Sequence, residues 1–150
     1  MQVRLFKPAD FPALYAVEEL CFPPPFRFSR PYMRQLIESP NSATWIAEED
    51  TELIAFSIVE WPEKPSRSSA YIQTIEVLPA LRGRGIGAEL LISAEDSACK
   101  AGARSIALHV DVENAAAIRL YESRGYARQG REEHYYARHR AAFVYAKPLA

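Results

Sequence analysis

The chain has 150 residues, 18 Lys and Arg against 19 Asp and Glu, a net charge of −1 and 49% apolar residues. This is the profile of a globular domain with a full core, and it excludes disorder as the default state. The near-zero charge argues against bulk electrostatic capture by nucleic acid or an anionic membrane, and no apolar run approaches the roughly 18 residues of a membrane span. Arg4, Lys7, Asp10, Glu18 and Glu19 leave the first twenty residues without the apolar core of a signal peptide. Cys21 and Cys99 are too far apart in the chain to make a disulfide framework. A reducing, cytoplasmic setting is expected.

Val3 to Lys7 reads as a first strand, and Pro8 opens a helical stretch with Phe11, Leu14, Tyr15, Val17 and Leu20 at helix spacing. Pro23, Pro24 and Pro25 end it, because each removes an amide donor and fixes φ. A second helix fits Pro31 to Glu38, capped by Ser29 or Arg30 and stopped by Pro40. Thr44–Ile46 and Leu53–Trp61 read as strands joined by a turn over Glu48 to Thr51. The second run is apolar in both phases (Phe56 and Ile58, Ala55 and Val59), as expected of a central strand covered on both faces.

Ala70–Leu78 is a further strand whose alternation has a fault. Ile75 and Val77 share one phase while Ile72 takes the other, so either both faces are buried or a bulge interrupts the strand. Gly85 to Lys100 is amphipathic and helical, and Ser105–Val110 alternates cleanly as a strand. Asn114 caps a helix that runs through Arg124 and stops at Gly125. Closing strands are expected from Tyr126 onward and over Ala142 to Lys147. The order predicts one α/β domain over residues 1–150, a mixed sheet of about six to seven strands flanked by about four helices.

Arg82-Gly83-Arg84-Gly85-Ile86-Gly87 lies between a strand and a helix. Its glycines let backbone approach a ligand, and the helix's first-turn amides supply the positive end of a dipole, which suits phosphate or pyrophosphate. A nucleotide-triphosphate loop would need Lys-Ser or Lys-Thr next, and Ala88-Glu89 stands there. A dinucleotide fingerprint fits Gly83, Gly85 and Ala88 but fails on context, since Pro79 to Leu81 intervene after the strand and Asp111 lies too far on for the ribose contact. His134 and His139 with two distant cysteines give no zinc spacing, and no metal is expected.

Tyr71 to Tyr126 resembles the GCN5-related N-acetyltransferases (GNAT). Arg82-x-x-Gly85-x-Gly87 is similar to their acetyl-CoA loop, and Ile75-Glu76-Val77 to their bulged fourth strand. Asn114 to Tyr126 is similar to their N-x-x-A-x-x-L-Y-x-x-x-G-F/Y segment. Within the family the chain most resembles the RimI type, which acetylates the N-terminal alanine of a ribosomal protein; Cys21-Phe22-Pro23, Glu133-His134-Tyr135-Tyr136 and Lys147-Pro148-Leu149 carry that likeness. The resemblance implies a GNAT fold over nearly the whole chain and acetyl-CoA as co-substrate. Amides of Gly83, Arg84, Gly85, Ile86, Gly87 and Ala88, with Arg82 beside them, would hold the pyrophosphate. Backbone of Ile75 to Val77 would pair with the pantetheine arm, Asn114 would touch that arm, and Tyr121 would sit by the sulfur.

An amine attacking a thioester must lose a proton, and the thiolate must gain one. Tyr121 is the expected acid, its alternative being a packed core tyrosine. Deprotonating an α-amine of pKa about 8 costs roughly 1.4 kcal/mol at pH 7, against roughly 4.6 for a lysine near 10.4. Two bases come into question. The RimI pattern has a glutamate where this chain has His109, whose imidazole could serve instead, and Glu76 occupies a position that is a catalytic glutamate in other branches; Glu76, through a water relay, is the preferred expectation. RimI-type chains place Glu-Asp before the last strand, and this chain has Arg140-Ala141 with Arg138-His139 beside it, either a basic acceptor channel or a solvated loop.

The expected acceptor is a protein or peptide N-terminus, a ribosomal protein's among them, with no direct nucleic-acid contact, since Glu132 and Glu133 dilute the field of Arg124, Arg128 and Arg131. The expected assembly is a monomer or homodimer. Acetylation of a small amine or amino-acid derivative, and a non-catalytic CoA-binding module, stand as alternatives. Residues Phe22 to Phe28 form a proline-bracketed loop that is either a wall or a lid over the acceptor.

Overall fold

The computed structural model describes residues 1–65, 68–136 and 140–149. Seven strands, β1 (Gln2–Leu5), β2 (Ser42–Glu49), β3 (Glu52–Glu60), β4 (Ala70–Val77), β5 (Ser105–Asp111), β6 (Ala127–Tyr136) and β7 (Arg140–Pro148), form one sheet in the order β1-β2-β3-β4-β5-β7-β6. Helices α1 (Phe11–Cys21), α2 (Arg30–Glu38), α3 (Ile86–Lys100) and α4 (Ala115–Ser123) cover it. Every pairing is antiparallel except β4 with β5.

The expected caps form. The Ser29 hydroxyl accepts from Tyr32 N–H at 3.2 Å at the start of α2, and Asn114 Oδ1 accepts from Ala117 N–H at 3.2 Å at the start of α4. Gly125, at φ +92°, ends α4. β1 stops earlier than the sequence reading has it, because Asp10 accepts from Lys7 N–H at 2.7 Å and holds Arg4 through both oxygens, turning the chain at once into α1. The β2–β3 turn is tighter than expected: Glu48 and Glu49 stay paired in β2, and Asp50 and Thr51 alone make the reversal at φ +52° and +67°.

β3 is covered on both faces, as its two apolar phases predict. Phe56 and Ile58 pack with Leu14, Val17, Met33 and Leu36 of α1 and α2. On the other face Ala55 packs with Ile86 and Leu90 of α3, and Val59 joins Leu91, Ala94, Ile106 and Leu108. Burying each such Leu, Ile or Phe stabilises the fold by about 1.5–3 kcal/mol. The fault in β4 is a bulge. Ile58 pairs with Thr74 and Val59 with Ile72, so Gln73 is the extra residue.

The parallel ladder between β4 and β5 holds only three pairs, Ala70 with Ile106, Tyr71 with Ala107 and Ile72 with Leu108. It ends at the bulge. Beyond it the two strands part, and the gap between residues 73–77 and 109–111 positions the site.

No described helix is long and apolar enough to cross a membrane. No disulfide joins Cys21 and Cys99.

Candidate active site

β4 leads through a short 3-10 turn, Pro79–Leu81, into the glycine loop. Gly83 and Gly85 sit at φ +83° and +82°, a conformation that costs a side-chain-bearing residue roughly 1–2 kcal/mol. A Cβ on either would meet nothing within 4 Å, so dihedral angle rather than packing demands glycine here. Gly87 differs: its Cβ would lie 3.5 Å from Leu120 Cδ2, which lets α3 approach α4 closely. Gly85 is the N-cap of α3 and has no side chain to satisfy the first-turn amides, which lack intrahelical acceptors. This is a backbone cradle that fits a pyrophosphate. The two arginines are engaged elsewhere. Arg82 donates to Val77 O at 3.2 Å and reaches Cys21 Sγ at 3.5 Å, while Arg84 pairs with Glu49 at 2.8 Å. Burial pushes the Cys21 thiol up to about 11, so it stays a protonated donor to Val77 O.

On β4 the bulge sorts the candidate residues onto two faces. Ile75 and Val77 lie opposite Ser57 and Ala55, on the α3 side. Glu76 lies opposite Phe56, on the α1 side, and is 3% exposed. Its carboxyl accepts from Thr74 Oγ1 at 2.7 Å and adjoins the carboxyl of Glu18, itself 1% exposed. Burial, then the neighbouring Glu18, hold Glu76 well above the usual carboxylate range. One Oε1 on each residue is buried without a donor among the described residues, which a proton held on Glu76 resolves. Glu76 is therefore a poor match to the water-relayed base expected of it: buried, held above the usual carboxylate range and bonded to protein.

The gap between β4 and β5 opens a cleft of about 590 Å³. It is lined by Glu18 and residues of the Phe22 to Phe28 loop, by Tyr71, Gln73 and Ile75 of β4, by Leu108 and His109 of β5, and by Asn114 and Tyr121 at α4. The loop is tied down. Phe28 N–H donates to Glu18 Oε2 at 2.9 Å, Tyr15 Oη donates to Phe28 O at 2.7 Å, and Arg27 donates to the carbonyls of Phe22 and Glu19. These bonds favour a wall over a lid.

Inside the cleft His109 Nδ1 lies 2.7 Å from Tyr71 Oη, and its ring stacks on Tyr135 at 4.1 Å and 5°. Tyr121 is 8% exposed, and burial alone pushes its hydroxyl up to about 12. Asn114 lines the cleft while its Oδ1 caps α4, so its carbonyl is already committed. Arg140 reaches the cleft but is neutralised by Asp111 at 2.6 Å and Glu113 at 3.3 Å. The basic segment thus presents no unpaired Arg140; Arg138 and His139 lie outside the described residues. A separate open groove of about 480 Å³, beside β1, β2 and the end of α3, has no histidine or cysteine in its lining.

The structure therefore brings His109, Tyr121, Asn114 and Ile75 to one cleft and buries Glu76 behind its wall, against Thr74 and Glu18. Tyr71 and Glu18 escaped the sequence reading. Tyr71 pairs with a residue 38 positions away, and no local signal marks it beyond a tyrosine two residues before the fault in β4.

A strand, a bulge, a glycine-made helix start and a splayed parallel pair define the fold of an acyltransferase. A profile of the acetyltransferase (GNAT) family matches residues 11–126, and the chain belongs to that family. Among similar proteins, an uncharacterised N-acetyltransferase of Bacillus subtilis is 33% identical over 107 residues, 69% of this chain and 71% of its own. A mycothiol acetyltransferase of Renibacterium salmoninarum is 40% identical over 57 residues, 38% of this chain and only 17% of that relative's length. The crystal structure of the ribosomal-protein-S18-alanine N-acetyltransferase from Escherichia coli superposes with a TM-score of 0.86 at 25% identity, over 99% of this chain and 94% of that one.

Proposed function

We propose that this protein transfers the acetyl group of acetyl-CoA to a primary amine by direct attack in a ternary complex, and that the amine is the N-terminal α-amine of a protein or peptide. The observation that carries this reading is the Tyr71–His109 pair, bonded at 2.7 Å on the cleft wall where β4 and β5 part. An imidazole with a lone pair committed to a hydroxyl is a competent but mild base, suited to an α-amine, whose deprotonation costs roughly 1.4 kcal/mol at pH 7 rather than the roughly 4.6 of a lysine. His109 replaces Glu76 as the favoured base.

The cradle of Gly83 to Ala88 would hold the pyrophosphate, and Tyr121 would donate to the departing sulfur. A phenol near 12 facing a thiolate near 8.5 is a reluctant acid in water terms. A thiolate desolvated beside it would be raised as well, which would narrow the difference, and the hydroxyl would stabilise the developing charge as a hydrogen-bond donor. The tied loop with Phe22, Phe26 and Phe28 gives the acceptor an aromatic wall rather than a charged one. Likeness to the Escherichia coli S18-alanine enzyme supports a protein N-terminus, such as that of a ribosomal protein, as acceptor and the cytoplasm as setting.

A relative named as a mycothiol acetyltransferase supports a second reading, a small-molecule acceptor. Thiol release from acetyl-CoA, measured with Ala-, Ser- and Met-initiated peptides, free amino acids, polyamines and an N-blocked lysine peptide, separates the two. Turnover of peptides through their α-amines is expected. Turnover of free amines alone overturns the N-terminal reading, and acetyl-CoA binding with no turnover of any member points to the non-catalytic module.

A further inference from the structure

We propose that Glu132, on β6, is a positioning residue that fixes His109 as the Nε2–H tautomer and stabilises its cation, completing a Tyr71–His109–Glu132 relay. The inference rests on the reading of His109 as the base. Its geometry is independent of it. Glu132 Oε2 lies 3.2 Å from His109 Nε2, outside the angle of a linear hydrogen bond, so the attraction is electrostatic and grows when the ring is charged. Nε2 is otherwise buried and has no hydrogen-bond partner among the described residues. A carboxylate only accepts, and a neutral imidazole carries one proton. The proton therefore belongs on Nε2, beside Glu132. Nδ1 keeps its lone pair, and Tyr71 must be the donor in the 2.7 Å contact. The Tyr135 ring stacks on the imidazole, and its hydroxyl lies 3.1 Å from that of Tyr71.

Tyr71 spends its proton on His109, so towards any further partner, Tyr135 included, its oxygen acts as an acceptor. As the amine attacks, the C–N bond forms and the C–S bond breaks. An N–H proton passes to the Tyr71 oxygen while the Tyr71 proton passes to Nδ1, and the thiolate takes its proton from Tyr121. The resulting imidazolium sits between Tyr71 and a carboxylate whose side chain is 53% exposed, which gives the proton a path to water. The groups facing His109 are Tyr71 from β4 and Glu132 and Tyr135 from β6. Asp111 of its own strand is paired with Arg140 of β7, and Glu18 lies across the cleft.

Nitrogen-15 NMR of the His109 ring in the full chain tests this without an identified acceptor. The parent's neutral ring is expected as the Nε2–H tautomer, and Glu132→Ala should raise the Nδ1–H share severalfold. Glu132→Asp should restore part of the parent's balance. An Nδ1–H parent, or a tautomer balance unchanged in Glu132→Ala, overturns the proposal. With a turned-over peptide, Glu132→Ala should lower kcat severalfold with KM within about twofold, and an unchanged kcat also overturns it. The reading of the base fails separately: His109→Gln retaining more than half of the parent's kcat overturns the base and the relay together, whatever the NMR gives.

Discussion

The glycine loop and the cleft between β4 and β5 are built in opposite ways. The glycine loop is made of backbone from six consecutive residues, with both its arginine side chains engaged by Val77, Cys21 and Glu49. The acceptor end is made of side chains drawn from α1, β4, β5, β6 and the loop after α1, joined by contacts such as Tyr71 with His109 and Phe28 with Glu18. Backbone construction tolerates changes of side chain but not of dihedral angle. Side-chain construction tolerates the reverse. The first end fits a ligand common to a large family, and the second is free to differ from one member to the next.

Substitutions can break that contrast. Tyr121→Phe, nearly isosteric in its buried site, should lower kcat on the order of 100-fold with the KM for acetyl-CoA within about twofold; a change confined to KM would move Tyr121 out of the chemistry. Gly85→Val forces a β-branched residue to φ +82° and should weaken acetyl-CoA binding roughly 5- to 30-fold by calorimetry, from a strain on the order of 1–2 kcal/mol. Undiminished binding would mean the cradle is not formed by this backbone.

Glu76→Gln sharpens the contrast on the acceptor side. The amide mimics a protonated carboxyl, so kcat and the alkaline limb of the rate profile should stay within about twofold of the parent. Loss of the alkaline rise would restore Glu76 as the base. The same variant carries a stability signature. A carboxyl raised in the folded state contributes stability that is fully present below its unfolded pKa, about 4.3, and is lost as pH rises from there towards the folded value. Melting temperatures should therefore show Glu76→Gln gaining on the parent as pH rises above that point. Arg84→Ala should be the mildest change, less than twofold in acetyl-CoA affinity, since its guanidinium is held by Glu49. A tenfold loss would show that Arg84 swings to the ligand.

The same division explains what could be read from the chain. Caps, the doubly covered β3, the fault in β4 and the glycine loop are local patterns, and each is where the sequence places it. Glu76 misled because its position beside the bulge is a matter of sequence, while its environment depends on Glu18, 58 positions earlier, and on which face the extra Gln73 turns it to. Arg82 and Arg84 look like phosphate ligands by neighbourhood, and only the fold reveals Cys21 and Glu49 as their partners. The β2–β3 turn is read over Glu48 to Thr51, two residues too long, because Asp50 and Thr51 are not the glycine or asparagine that usually marks a left-handed pair.

Three backbone pairs make up the whole strand ladder between a four-stranded half, β1 to β4, and a three-stranded half, β5, β7 and β6. The halves are further united by side-chain bonds such as Tyr71 with His109 and by apolar contact on the α3 and α4 side, where Val59 and Ile72 meet Ile106, Leu108 and Tyr145. Mechanically the sheet is two leaves on a short spine. The spine amides of Ile106 to Leu108 are therefore the place where hydrogen exchange would register the leaves spreading. Residues 73–77 offer an unzipped selvedge, along which an extended molecule carrying its own amides can be stitched without any existing ladder being undone.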